Sequence, residues 1–362
     1  MNATQQLHAL GQSLWLDNIT RDLLTGGTLQ RYIDELSVTG LTSNPTIFDH
    51  AVARSHAYDA AIRRLVEAGK ADEALFFELA VADLVKAADL FAPIHKRTAG
   101  VDGFVSLEVS PLLAHDTART VADAKMLHAK ANRPNLFIKI PGTLEGLPAI
   151  EETIFAGVPV NVTLLFSRDD YLLAADAYMR GLERRVAAGL PPDVRSVASL
   201  FVSRWDKATM EKVPAELRDR LGIAMSQQCY KAYRDLLDSD RWQLLEGLGA
   251  RPQRLLFAST GTKDPNASDV LYVTALAAPF TVNTMPEETL HAYACHGEIS
   301  APLRRDGGNC EEILSEFSAA GIDLDALGKQ LQDDGAASFV KSWNDLMRCI
   351  DSRRSSMLGK AA

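Results

Sequence analysis

The 362-residue chain is 47% hydrophobic and 23% charged, ordinary values for a folded protein that exclude wholesale disorder. Its 38 Lys and Arg against 47 Asp and Glu give a formal charge of −9, so nucleic acid and anionic membranes are not expected partners, and an anionic substrate must meet a local basic pocket. There is no apolar run near the roughly 20 residues of a membrane span, no secretory pattern in MNATQQLHALGQ and no disulfide framework in four sparse cysteines, so a cytoplasmic enzyme or binding protein is expected.

Short apolar runs rich in β-branched residues recur along the chain. They predict strands at Leu14–Asp17, Val38–Thr42, Gly103–Glu108 and Asn135–Ile140, then at Val158–Thr163, Ser196–Phe201, Arg254–Ala258 and Pro279–Asn283. Amphipathic helices are expected at Thr117–Ala131, Leu147–Phe155 and Arg168–Ala188. A helical pair, Ser55–Gly69 and Asp72–Ile94, fills the gap between the second and third strands, and Glu216–Leu237 fills that between the sixth and seventh. Three helical stretches, broken by Gly321 and Gly335, are expected over Glu311–Leu358. Apolar strands alternating with helices imply a parallel sheet covered on both faces. Eight of them suit a single (β/α)8 barrel better than an open sheet, which stays the alternative. No linker or low-complexity run divides the chain, so residues 1–362 are expected to form one domain with a helical extension at about 309–358.

Barrel chemistry belongs at the C-terminal ends of the strands, and there the apolar pattern breaks repeatedly. The breaks are Asp17, Ser43–Asn44, Glu108, Lys139, Asn161 with Thr163, Ser199 with Arg204, and Ser259 leading to Lys263. Lys139 alternates with Phe137, so both face one side of their strand. Burial disfavours the charged form of an amine and frees it for Schiff-base chemistry. The plainer alternative, a lysine reaching the rim to pair with Asp17 or Glu108, stays open. The two carboxylates suit proton transfer, with capping of the following helix the alternative for Asp17.

Nucleotide-loop, dinucleotide, zinc-protease and nucleophile-elbow motifs are missing from the sequence. His291, Cys295, His296 and Cys310 match no familiar zinc spacing, so no metal is expected. Phe76, Phe77 and Trp343 read as core.

Seven segments, WLDNITRDLL, GLTSNPTIF, SLEVSP, LFIKIPGTLEGLPAI, VPVNVTLLFS, SLFVSRWD and RLLFASTGTKDP, resemble the successive active-site segments of transaldolases, in the right order from about Leu14 to beyond Asn283. The length and the ASTGTKDP form resemble the longer bacterial branch. The resemblance implies a (β/α)8 barrel of the class I aldolase superfamily, without metal or organic cofactor. It also implies the non-oxidative pentose phosphate reaction. There a dihydroxyacetone unit moves from sedoheptulose 7-phosphate to glyceraldehyde 3-phosphate, giving erythrose 4-phosphate and fructose 6-phosphate. Lys139 resembles the Schiff-base nucleophile, and Asp17 the group that handles the C4 hydroxyl proton. Glu108 resembles the acid/base that works through a water held with Thr163. Ser43, Asn44, Asn161 and Ser199 resemble the residues around the dihydroxyacetone unit, and Arg204 and Ser259 those of the phosphate site. Where shorter-tailed relatives carry an arginine this chain has Gly261, and Lys263 is expected to supply the cation. The serine–proline usual at the sixth strand reads Ser199–Leu200. A monomer or homodimer is expected. An aldolase that releases dihydroxyacetone and a non-catalytic sugar-phosphate-binding protein are the alternatives.

Overall fold

The computed structural model describes residues 1–299 and 301–358. Ser300 and the last four residues, which the single-domain expectation includes, lie outside the described residues. Among those described, eight parallel strands follow one another around a closed barrel: β1 (Ser13–Asp17), β2 (Val38–Thr42), β3 (Val105–Glu108), β4 (Leu136–Pro141), β5 (Val160–Leu165), β6 (Ser196–Phe201), β7 (Gln253–Ala258) and β8 (Val282–Met285). β8 pairs back onto β1, Leu14 opposite Asn283. The (β/α)8 expectation is the observed architecture, and the open sheet is not.

Several strand ends shift by one to three residues from those expected, and two of the shifts have a visible backbone cause. β8 starts at Val282 rather than Pro279, because Phe280 sits at φ 62° and turns the chain before the strand can begin. β5 extends to Leu165 through an irregularity after Val162, with Leu164 at φ 60°.

Helices Asp59–Glu67 and Asp72–Arg97 fill the gap between β2 and β3, preceded by Pro45–Arg54. Helix Leu221–Leu237 lies between β6 and β7, flanked by Ser203–Thr209 and Asp240–Gly247. After β8 come Glu287–His296, Cys310–Ala319 and Leu324–Leu358. The expected break at Gly321 is present, since that residue has φ 89°. The break at Gly335 is not: the last helix runs straight through it. A Cβ at Gly335 would stand 2.9 Å from Leu164 Cδ2, so glycine here lets the helix lie close against the end of β5 instead of ending it.

The strands alternate as a covered barrel requires. Leu16, Leu41, Ile138, Ile140, Val162 and Leu200 join the core between strands and helices. Trp15, Phe104, Phe137, Val197, Leu256 and Val282 belong to a second cluster that fills the barrel interior. There Phe104 stacks on Phe137 at 4.1 Å between centroids, and Trp15 lies 6.1 Å from Phe137. This aromatic layer plugs the barrel below the polar strand ends. The last helix crosses those ends. Gln332 donates to the Leu164 carbonyl at 3.0 Å, Thr46 donates to Ser342 at 2.7 Å, and Arg353 pairs with Asp59 at 2.6 Å. Trp343 packs edge-on against Phe76 at 5.0 Å and beside Phe77 at 5.7 Å, so the three aromatics expected in the core fasten this helix to Asp72–Arg97.

Candidate active site

A cavity of about 230 Å³ opens at the C-terminal ends of the strands. Lys139 enters it from the inward row of β4, one position above the Phe137 layer in the alternation, and is 5% exposed. Its Nζ lies 3.2 Å from Glu108 Oε2 on the neighbouring strand and donates to the Ser43 carbonyl at 3.1 Å. The pairing with Glu108 raised as the plainer alternative is therefore present, while the amine still lines the cavity.

Asp17 is not a helix cap. Helix Arg21–Thr25 is capped by Thr20, whose hydroxyl accepts from the Leu23 N–H at 3.0 Å. Asp17 instead faces the cavity and accepts from the Thr42 hydroxyl at 2.7 Å. Burial pushes the carboxyls of Asp17 and Glu108 above their ordinary values, against the pull of the Lys139 ammonium, and the Asp17 charge raises Glu108 further.

Hydrogen bonds tie the polar row around the barrel. Asn161 donates to Ser106 at 3.1 Å and accepts from Ser199 at 2.7 Å. Thr42 and Thr284 share a contact of 2.7 Å. The Thr163 hydroxyl is buried and has no hydrogen-bond partner among the described residues. Asn44 begins helix Pro45–Arg54, its side-chain oxygen accepting from the Ile47 N–H at 3.0 Å.

The far wall is cationic. Arg204 is half-buried, and burial lowers its pKa. Asp206, two residues further on, is not its partner: that carboxylate accepts from the Tyr272 hydroxyl at 2.8 Å and from the N–H groups of Leu221 and Gly222 at 2.9 and 3.2 Å. Lys263 is largely exposed along its length, yet it lines the cavity. Burial of its amine, then repulsion from Arg204 and Lys207, lowers its pKa, and Asp17 opposes them. Ser259 holds φ 56° where β7 opens out, its hydroxyl 2.9 Å from that of Ser203.

Asp17, Asn44, Lys139, Thr163, Ser199, Arg204, Ser259 and Lys263 thus line one cavity. Glu108 and Ser43 stand behind it in contact with Lys139, and Asn161 stands behind it in contact with Ser199. Ser43 reaches the amine through its carbonyl, while its hydroxyl donates to the Ser106 carbonyl at 2.8 Å. Thr42, Thr284, Phe201, Ser338 and Phe339 also line the cavity and were not singled out by sequence. The strand residues follow the same inward alternation that marked Lys139. Phe339, 6.0 Å from the Lys139 amine to its ring centroid, carries no such signal.

The late histidines and cysteines do not converge. His291 contacts Tyr32 at 2.7 Å, His296 pairs with Asp269 at 2.8 Å, and Cys310 is buried. Among the described residues no helix is long and apolar enough to cross a membrane.

The sequence model of the transaldolase/fructose-6-phosphate aldolase family matches residues 14–350. A transaldolase of Mycolicibacterium smegmatis is 45% identical over 350 residues, covering 94% of each chain. One of Arthrobacter sp. is 43% identical over 357 residues, covering 96% of each. One of Thermobifida fusca is 44% identical over 352 residues, covering 95% of this chain and 96% of its own. Similarity of this extent carries the enzyme class of these transferases with it, and it falls on a barrel whose strand ends hold the expected lysine. The chain belongs to the transaldolase/fructose-6-phosphate aldolase family.

Proposed function

We propose that the chain is a transaldolase acting through a Schiff base on Lys139. It takes a dihydroxyacetone unit from sedoheptulose 7-phosphate or fructose 6-phosphate and gives it to glyceraldehyde 3-phosphate or erythrose 4-phosphate. The observation that carries this reading is a buried amine between two carboxylates, facing two cations across one small cavity.

The donor phosphate sits on Arg204 and Lys263, with the Ser259 hydroxyl beside them, and this fixed end brings the far carbonyl to Lys139. Neutral Nζ attacks the carbonyl carbon. Glu108, acting through a water held with the otherwise unpartnered Thr163 hydroxyl, protonates the departing oxygen, and water leaves as the iminium forms. Asp17 takes the proton of the C4 hydroxyl, the C3–C4 bond breaks, and its electron pair moves to the iminium nitrogen. The aldose departs and leaves a three-carbon enamine on the enzyme. Ser199 and Asn44 hold the hydroxyls of that unit, with Asn161 fixing Ser199 and the Ser43 carbonyl fixing the lysine. Attack by the enamine on an acceptor aldehyde runs the steps backwards. Phe339, packed over the amine, keeps water from the enamine and favours transfer over release of dihydroxyacetone.

Borohydride reduction with fructose 6-phosphate tests this: the added mass belongs on Lys139 and is absent from Lys139→Met. That variant keeps its fold, because Glu108, already raised by burial, can take up a proton. Asp17→Ala should lose roughly 10²–10⁴-fold in turnover and accumulate the donor adduct. A tag on another lysine, or near-full turnover in Lys139→Met, overturns the proposal.

A further inference from the structure

At the opposite, N-terminal end of the barrel, below the aromatic plug, lies a cavity of about 520 Å³ that the aldol chemistry does not use. Its volume falls within the ~300–1,000 Å³ typical of small-molecule sites. The floor is apolar: Trp15, Phe104 and Phe137 close it from above, and none is more than 2% exposed.

Its walls carry four arginines on a chain whose net charge is −9. Two are structural. Arg254 donates to the carbonyls of Thr281 and Val101 at 2.7 and 3.1 Å, and Arg195 pairs with Asp193 at 2.9 Å and donates to the Ala99 carbonyl. The other two, the half-buried Arg234 and the exposed Arg251, make no side-chain hydrogen bond or ion pair among the described residues, and the Nε of Arg234 is buried. The lining carboxylates do not neutralise them. Asp102 is occupied by Trp15 Nε1 at 2.8 Å, the Gly103 N–H at 3.0 Å and the Ser13 hydroxyl, while Glu246 is exposed. Unpaired guanidiniums in a concave, partly apolar site are suited to a phosphate.

A further feature describes the rest of a ligand. Phe280 stands at the lip, 63% exposed, although it is large and apolar. It is held at φ 62° by its N–H to the Gly11 carbonyl at 2.9 Å and by the Tyr233 hydroxyl on its own carbonyl at 3.0 Å. An exposed aromatic fixed in a costly backbone conformation is a platform rather than a packing residue, and the Arg234 guanidinium lies 5.4 Å from its ring.

We propose that this cavity is a second binding site, separate from the catalytic one, and that it takes a nucleoside phosphate. The phosphate lies on Arg234 and Arg251, and the planar base on Phe280.

Calorimetric titration of the full chain with ADP tests it. ADP should bind once per chain, equally well with and without saturating fructose 6-phosphate, and should raise the melting temperature. Inorganic phosphate and ribose 5-phosphate, which lack the base, should bind at least tenfold more weakly. The double variant Arg234→Ala/Arg251→Ala loses two charge-assisted contacts, so its ADP affinity should fall roughly a hundredfold, with unchanged turnover as evidence of an intact fold. A charge reversal, Arg251→Glu, serves if the double variant is unstable. The site is refuted by silence at millimolar ADP, by competition from fructose 6-phosphate, or by binding indifferent to the arginines. Ribose 5-phosphate binding as tightly as ADP refutes the nucleoside assignment.

Discussion

On the proposed reading, substrate choice rests on the two cations across the cavity from Lys139. Arg204 has lost Asp206 to Tyr272 and two backbone N–H groups, and Lys263 turns toward the same space from an otherwise solvated side chain. If they hold the donor phosphate, Arg204→Ala and Lys263→Ala should each raise KM for fructose 6-phosphate about tenfold or more, since a charge-assisted contact contributes about 1.5–3 kcal/mol. Unphosphorylated fructose should be affected far less. An equal proportional loss on both donors removes the phosphate role. At this scale the sequence was readable wherever a polar side chain interrupts an apolar strand. Lys139, Asp17, Thr163 and Ser199 all stand out in that way. It marked Ser43 as such a break but not how Ser43 reaches the lysine, through a backbone carbonyl, because every residue type has one. It could not choose between a reactive and a paired Lys139, and the contact with Glu108 explains why: the same carboxylate serves both readings.

Among the elements, helix Leu324–Leu358 departs furthest from expectation. Sequence alone makes Gly335 punctuation, as Gly321 is, but at Gly335 the missing side chain allows a close approach to Leu164. Local sequence cannot distinguish those uses, since the deciding atom is 171 positions away. Phe339, carried on this helix over Lys139, should govern the fate of the enamine. Phe339→Ala should release several-fold more dihydroxyacetone per transfer event, while Phe339→Leu, which keeps the volume, should stay nearer the parent. A ratio unchanged in the alanine variant means that the helix does not exclude water. Asp206 ties three elements together: its carboxylate, 2% exposed, links its own helix Ser203–Thr209 to the start of Leu221–Leu237 and to Tyr272 of helix Leu271–Ala275. Burial, only partly offset by those hydrogen bonds, raises its pKa from 3.8 to about 6. The folded state therefore holds this proton more tightly than the unfolded one. The resulting stabilisation is full below the unfolded value and is lost as pH rises through the folded one. The stability of the parent relative to Asp206→Asn should fall by about 3 kcal/mol between roughly pH 4 and pH 7, measured by urea unfolding. A difference independent of pH means that the carboxyl is not perturbed in this way.

For the molecule as a whole, eight apolar runs spaced by helices sufficed to anticipate the barrel, because that count and alternation leave little else that covers both faces of the sheet. The plug had no such signature. Trp15, Phe104 and Phe137 are ordinary apolar residues until the closed sheet brings three separate strands' inner faces to one level. Their position sets the traffic of the reaction proposed above. Aromatic rings form the floor of the catalytic chamber, and the last helix forms a partial roof. The chamber's ~230 Å³ is less than the ~300 Å³ at which small-molecule sites usually begin, too small for two sugar phosphates at once. The departing aldose must clear the threshold before the acceptor can cross it. With both substrates varied, double-reciprocal plots of initial rates should run parallel, and each aldehyde at high concentration should obstruct the other's entry. Lines that converge would mean that the chamber admits both partners together.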